Sequence, residues 1–124
     1  MVLWVPYKPG PARGAEGPLH VSVTEFTPAH RLDLPRILLA GLLLRAGWRR
    51  RPGAVGLWLW FTPTARRLGS VSIWQGEADL RGFVRLPVHV AIMRRYRTRG
   101  SVRATSWTAD RLKDIRGRAA GWLA

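Results

Sequence analysis

The sequence predicts an α+β domain with the element order β-α-β-β-α-β and one further helix at its C-terminal end. Three observations carry this reading. Four stretches have the alternating or continuous apolar pattern of strands, at His20 to Phe26, Ala54 to Phe61, Arg67 to Trp74 and Ser101 to Trp107. The segments between them have helical periodicity and end at glycine or proline. The chain has 124 residues, 47% of them hydrophobic, which suits one domain with a real core.

Taken in order, residues 1–18 read as an extended N-terminal arm. Pro6, Pro9, Pro11 and Pro18 interrupt regular structure there, and Val2, Leu3, Trp4, Val5 and Tyr7 are apolar enough to pack on the domain or on a partner. His20 to Phe26 (HVSVTEF) alternates as a strand, and Thr27-Pro28 ends it. Leu34 to Trp48 is the best helix, with Asp33 as a cap and Pro35 in the first turn. Its apolar stripe is Leu34, Leu38, Gly41 and Leu42, widened by Ile37, Leu44 and Trp48. The run Ile37 to Leu44 is too short for a membrane span, which needs about 20 residues, so it reads as a core helix.

Ala54 to Phe61 is a strongly apolar strand. Arg67 to Trp74 is the next, with Val71 and Ile73 on one face and Ser70, Ser72 and Trp74 on the other. Gly76 to Leu86 is a short helix that buries Leu80, Phe83 and Val84. Pro87 opens a second piece, Val88 to Arg97, and Gly100 breaks it. Ser101 to Trp107 is the fourth strand. Thr108 caps a last amphipathic helix with Leu112, Ile115, Ala119 and Trp122 on one face. The domain proper therefore covers residues 19–108, and the C-terminal helix residues 109–124.

This order suggests a split βαβ, ferredoxin-like antiparallel sheet with helices on one face. The other face is too apolar for water, because Trp58, Trp60 and Trp74 or their neighbours must point that way. Pairing two such sheets face to face would cover it and make a homodimer.

Composition narrows the partners. The formal net charge is +14, and residues 1–30 contribute none of it, since Lys8 and Arg13 balance Glu16 and Glu25. A basic excess raises nucleic acid as a partner. Against that, the basic residues are not interleaved with exposed aromatics, and no helix-turn-helix pattern appears. All but Lys8 and Lys113 are arginine, as a GC-rich coding bias gives. The absence of cysteine excludes disulfides and Cys-based zinc sites. The first 18 residues lack a secretory h-region, so a cytoplasmic location is expected. No P-loop, GxGxxG after a strand, GxSxG, HExxH or carboxylate pair is present, which argues against nucleotide cofactors and hydrolytic metals.

The segment SVSIWQGEADLRGFVRLPVHVAIMRRYRTRGSVRATSW, Ser70 to Trp107, is the most patterned. A strand ends in Trp74, and a short helix follows with Leu80 and Phe83 three apart. His89 comes six residues later, then Met93, an Arg-rich helix end and a strand ending in Trp107. In this the chain resembles the dimeric α/β-barrel proteins related to the antibiotic-biosynthesis monooxygenases, with most likeness to the spheroidene-monooxygenase-like branch. Gly53 to Leu57 fits their second strand, and the likeness spans residues 19–108. The resemblance implies a pocket between sheet and helices in proteins that oxidise, cyclise or degrade small organic molecules, some with haem and some with no cofactor. The Asn/Trp/His pattern of some cofactor-free members is not visible, and the C-terminal helix is extra.

Candidate site residues follow. His89 shares a helix face with Met93 and Tyr96. It reads as a general acid/base or a haem ligand, or else as a half-buried helix histidine capping a carbonyl. Tyr96 and Arg103 are its candidate polar partners. Trp74 and Ser72 read as pocket wall or core. Trp58 and Trp60 share a strand face and line either the pocket or a dimer interface, while Trp107 reads as core. His20, with Ser22 and Thr24, forms a polar stripe that points into the pocket or sits at the sheet edge. Glu25 is a base if buried alone, or the partner of an arginine such as Arg103. Arg81, Arg85, Arg94, Arg95, Arg97, Arg99 and Arg103 have no acid among them between Asp79 and Asp110. They read as a solvated face or a dock for an acidic carrier protein. The function expected is a tailoring enzyme of specialised metabolism, monooxygenase-like or a cyclase, acting on a small apolar molecule. The rival is a non-catalytic basic dimer that binds a ligand or nucleic acid.

Overall fold

The computed structural model describes residues 2–123; Met1 and Ala124, the outer ends of the arm and the last helix, lie outside the described residues. The elements are β1 (Leu3–Trp4), β2 (Lys8–Pro9), β3 (Leu19–Pro28), α1 (Asp33–Ala46), β4 (Ala54–Thr62), β5 (Arg67–Trp74), α2 (Glu77–Val84), α3 (Pro87–Tyr96), β6 (Gly100–Ala109) and α4 (Ile115–Leu123). They form one antiparallel sheet. The long strands lie in the order β4-β5-β3-β6, the ferredoxin-like arrangement, and β1 and β2 both pair with the outer edge of β4. β6 pairs with β3 along its whole length, and its outer edge has no strand partner among the described residues.

Register decides which side chains share a face. Val21 lies opposite Ile73 and Trp107, and Val23 lies opposite Val71, which lies opposite Trp58. These residues form the first face with Glu25, Trp60 and Arg103. His20, Ser22, Thr24, Ser70, Ser72 and Trp74 form the second, together with Leu57 and Leu59. A bulge between Ala54 and Gly56 inserts Val55 as an extra residue in β4.

The first face is covered within the chain. Ile115, Ala119 and Leu123 of α4 are fully buried with Val21, Val23, Trp60, Val71 and Ile73, and Trp4 and Tyr7 of the arm pack on the same cluster. The Tyr7 ring occupies the space that a Cβ on Gly56 would need, so the arm seats only on a glycine there. Arg116 stacks over Trp4 at 4.9 Å, Arg118 over Trp107 at 4.6 Å and Arg103 over Trp122 at 4.0 Å, which closes the rims. A second copy is therefore not what covers this face, as the sequence suggested. The amphipathic pattern of residues 112–122 did not identify the surface it packs on.

Four local expectations change. β6 runs on to Ala109, so Thr108 is a strand residue and caps nothing; α4 begins at Ile115. Its buried residues are Ile115, Ala119 and Leu123, while Leu112 is exposed and Trp122 half-buried. Asp33 is the first residue of α1 and makes no cap bond. Buried, it pairs instead with Arg99 at 3.2 Å. α1 is no core helix: it buries none of its apolar side chains fully, and it crosses Leu59 at Gly41. Its inner leucines are half-buried and its outer ones exposed, as is Val84 on α2. No helix among the described residues is long and apolar enough to cross a membrane.

At the centre of the first face, Glu25 is 7% exposed. Arg67 donates to its carboxylate at 2.9 Å, and Arg103, directly opposite on β6, donates at 3.2 Å through two nitrogens. Each arginine also donates to the last turn of α4, Arg67 to the Leu123 carbonyl at 3.2 Å and Arg103 to that of Trp122 at 3.3 Å. Those carbonyls lack helical partners, and cations suit a helix C-terminus. Glu25→Ala is expected to lower the unfolding free energy by about 2–4 kcal/mol, because it leaves two arginines facing each other. Urea denaturation checks this, with Glu25→Gln expected to cost less.

Candidate functional site

On the second face, the rings gather around Phe83. Gly47 ends α1, and the single turn Trp48–Arg50 that follows places Trp48 beneath it. Trp74 is the last residue of β5, on the same face as Ser72. Pro87 at the start of α3 suits the first turn, where no N–H is needed, and the helix brings His89 back toward α2. Phe83 has Trp48 at 5.4 Å, Trp74 at 5.3 Å and His89 at 5.1 Å between ring centroids, and the guanidinium of Arg51 stands 5.8 Å above it. Trp48 and Trp74 contact each other edge-on at 5.0 Å and are each 1% exposed.

The polar atoms of this cluster are unsatisfied. Trp48 Nε1, Trp74 Nε1 and Arg51 Nε are buried without a hydrogen-bond partner, and the buried Nδ1 of His89 has no well-aligned one, its ring interacting with the Val84 backbone. A buried donor left unpaired costs about 1–3 kcal/mol, and native interiors hold few. Burial also lowers the pKa of His89, and a weak backbone interaction with Val84 opposes this in part. The neutral ring is thus the favoured form, able to accept a proton.

Around the cluster, the hydroxyls of the second face partner one another. Thr24 and Ser70 bond at 2.8 Å, and the Ser72 hydroxyl donates to the Ser22 carbonyl at 3.5 Å. Ala104, Ser106 and Thr108 of β6, on the same face, are exposed, so the helices leave the β6 side of this face open. His20, half-buried, lies opposite Trp74 on one side and Thr108 on the other.

The structure therefore brings together His89 and Trp74, through Phe83, and sets Ser72 and His20 on the same sheet face. Tyr96 is buried on α3, and Met93 is exposed. Trp58, Trp60 and Arg103 are corrected: they lie on the opposite face and share no pocket with His89. Trp58 packs on Trp4 and Tyr7, Trp60 is fully buried in the core, and Arg103 is bound to Glu25. Two members of the cluster, Trp48 and Arg51, were missed as site residues, because Trp48 reads as the end of the helix stripe and Arg51 lies in the basic run after it with no motif of its own. Phe83 was read only as core.

Haem ligation through Nδ1 of His89 does not fit this arrangement. A macrocycle needs an open slot against an imidazole nitrogen. Phe83 instead lies edge-on against the His89 ring, and Nδ1 is enclosed. Two shallow clefts lie elsewhere. One of about 470 Å³ is lined by Pro11, Ala12, Gly14, Pro52, Gly53 and Gln75, and one of about 290 Å³ lies beside Trp107, Asp110 and Arg118. Among the described residues, no group of three or more His, Cys, Asp or Glu could hold a metal ion.

The lowered pKa of His89 gives a stability prediction. Below the ordinary imidazole value of about 6.5, the unfolded ring takes up a proton that the folded ring resists, so stability falls as pH drops through this window. Urea denaturation at pH 7.5 and at pH 5 (both values set about that window) should show the loss in the wild type, and a smaller loss in His89→Gln.

No protein-family model and no curated protein sequence matches the chain. Solved structures do. A candidate antibiotic biosynthesis monooxygenase from Nitrosomonas europaea superposes with a TM-score of 0.64 at 9% identity, covering 79% of this chain and 94% of the other. A ferredoxin-fold protein from Listeria monocytogenes related to antibiotic biosynthesis monooxygenases gives 0.57 at 16% identity, covering 74% of this chain and 57% of the other. SnoaB, a cofactor-independent oxygenase from Streptomyces nogalater, gives 0.57 at 15% identity, covering 75% and 94%. The chain has the ferredoxin-like fold of these proteins.

Proposed function

We propose that this chain is a small-molecule-tailoring enzyme, monooxygenase-like, that binds an apolar, oxygen-bearing organic molecule against the second face and uses His89 to move a proton. The observation that carries this reading is the set of three unpaired buried nitrogens around Phe83, on Trp48, Trp74 and Arg51, beside the half-buried His89. A carbonyl or hydroxyl oxygen of a substrate would accept from the indole N–H groups, while its carbon frame packs on the aromatic rings. Entry is from the β6 side, where helices do not cover the sheet.

His89, held neutral by burial, would take a proton from an activated C–H or O–H of the bound molecule. Tyr96 is the polar partner that shares its helix face, in place of Arg103. A deprotonated, electron-rich substrate held against the rings could react with dioxygen directly, which is the chemistry that the likeness to a cofactor-independent oxygenase supports. The same proton transfer would serve a cyclase, and oxygen uptake separates the two. The rival reading as a basic nucleic-acid binder is weakened by the use of the arginines: Arg103, Arg116 and Arg118 stack on tryptophans, and Arg67 and Arg103 are bound to Glu25.

The test is a panel of apolar ketones and phenols, followed by tryptophan fluorescence and an oxygen electrode. Oxygen-bearing ligands should bind, and hydrocarbons of the same shape should not. With a compound that is turned over, His89→Ala should reduce kcat by about 10²–10⁴-fold with little change in binding. Full activity in that variant would reject the role of His89, and equal binding of hydrocarbons would reject the role of the orphan donors.

A further inference from the structure

We propose that the outward face of α1 docks on an anionic lipid bilayer. This inference is independent of the reading of the aromatic cluster, which lies on the other side of the helix layer.

The exposed positions at and along α1 are 32, 35, 36, 39, 42, 43 and 46, which recur every three or four residues and so make one continuous helix face. That face is almost wholly apolar. Leu32 is 75% exposed, Leu39 58%, Leu43 67% and Leu42 37%; Pro35 and Ala46 continue the stripe, and Arg36 is its one charged member. A surface helix ordinarily turns polar residues outward. Here the helix presents leucine to solvent along its length of about 21 Å.

The charge around the stripe has one sign. Arg31 precedes the helix, Arg36 lies on the face, and Arg49 and Arg50 follow its end; all are exposed. Between residues 26 and 76 the only acid is Asp33, which is buried and paired with Arg99 at 3.2 Å and with Arg36 at 3.8 Å. Exposed leucines bracketed by arginines are the pattern of a helix lying in the plane of a bilayer interface, with apolar side chains among the acyl chains and the cations at the headgroups. The charge argues against a second copy, because two such faces would bring Arg31, Arg49 and Arg50 of each chain together, with the buried Asp33 beside Arg36 as the one nearby acid. An acidic protein with a groove for one helix is the alternative occupant, and vesicles of lipid alone exclude it from the test.

The experiment is vesicle flotation of the full chain. One set of vesicles is phosphatidylcholine with about 30% phosphatidylglycerol, and the other is phosphatidylcholine alone. The wild type should float with the anionic vesicles and remain below with the neutral ones. Leu39→Ser with Leu43→Ser, both exposed and so compatible with folding by circular dichroism, should weaken binding at least about tenfold. Binding by this double variant at wild-type strength would overturn the proposal, since adsorption would then rest on the net charge alone. A wild type that does not float would overturn it too. So would a wild-type dimer on a sizing column that the double variant converts to monomer without altering flotation, because the face would then belong to a second copy.

Discussion

The second layer of this protein rests on one carboxylate. Glu25 sits on the central strand under α4, neutralises Arg67 and Arg103, and leaves each of them a donor for the final carbonyls of that helix. Without it, two guanidinium groups would meet on an otherwise apolar face with no counter-charge. With it, the same two groups become the fixture that holds α4 against β3, β5 and β6. The hydrophobic contacts of Ile115, Ala119 and Leu123 supply the bulk of the attraction, and the ionic knot sets where the helix lies.

Much of the fold was legible because its signals are local. The alternation of His20 to Phe26 assigns both faces of β3, and the break at Gly100 separates α3 from β6 correctly. What covers each face was not legible, because that depends on long-range pairing. Residues 112–122 carry a helical pattern, yet nothing in it names the sheet as partner. The leucines of α1 read as core for the same reason: periodicity counts apolar residues and cannot say that those at positions 39 and 43 turn outward.

The site was half legible. His89 and Trp74 were singled out for their chemistry, and the structure links them through Phe83. Trp58 and Trp60 were rightly placed on one face of their strand, but whether that face is the one shared with Trp74 depends on the register of β4 against β5. A pairing that sets Trp58 opposite Val71 sends both to the α4 side. Trp48 escaped notice because the helical stripe absorbs it as one more apolar position. The unsatisfied state of its indole nitrogen appears only when the packing is complete.

The two edges of the sheet are unlike. The arm, with Pro6 and Pro9, lies along β4 and leaves only two-residue strands at that margin, whereas β6 presents a ladder of ten residues with no strand partner on its outer side among the described residues. An extended segment that joins the sheet by main-chain bonds therefore finds its long template at β6. If the segment is another β6, the far margins of the pair offer only the short, proline-bearing arm. Growth by strand addition is thus disfavoured beyond two molecules, and the asymmetry works against open-ended fibrils while leaving a closed twofold pairing available.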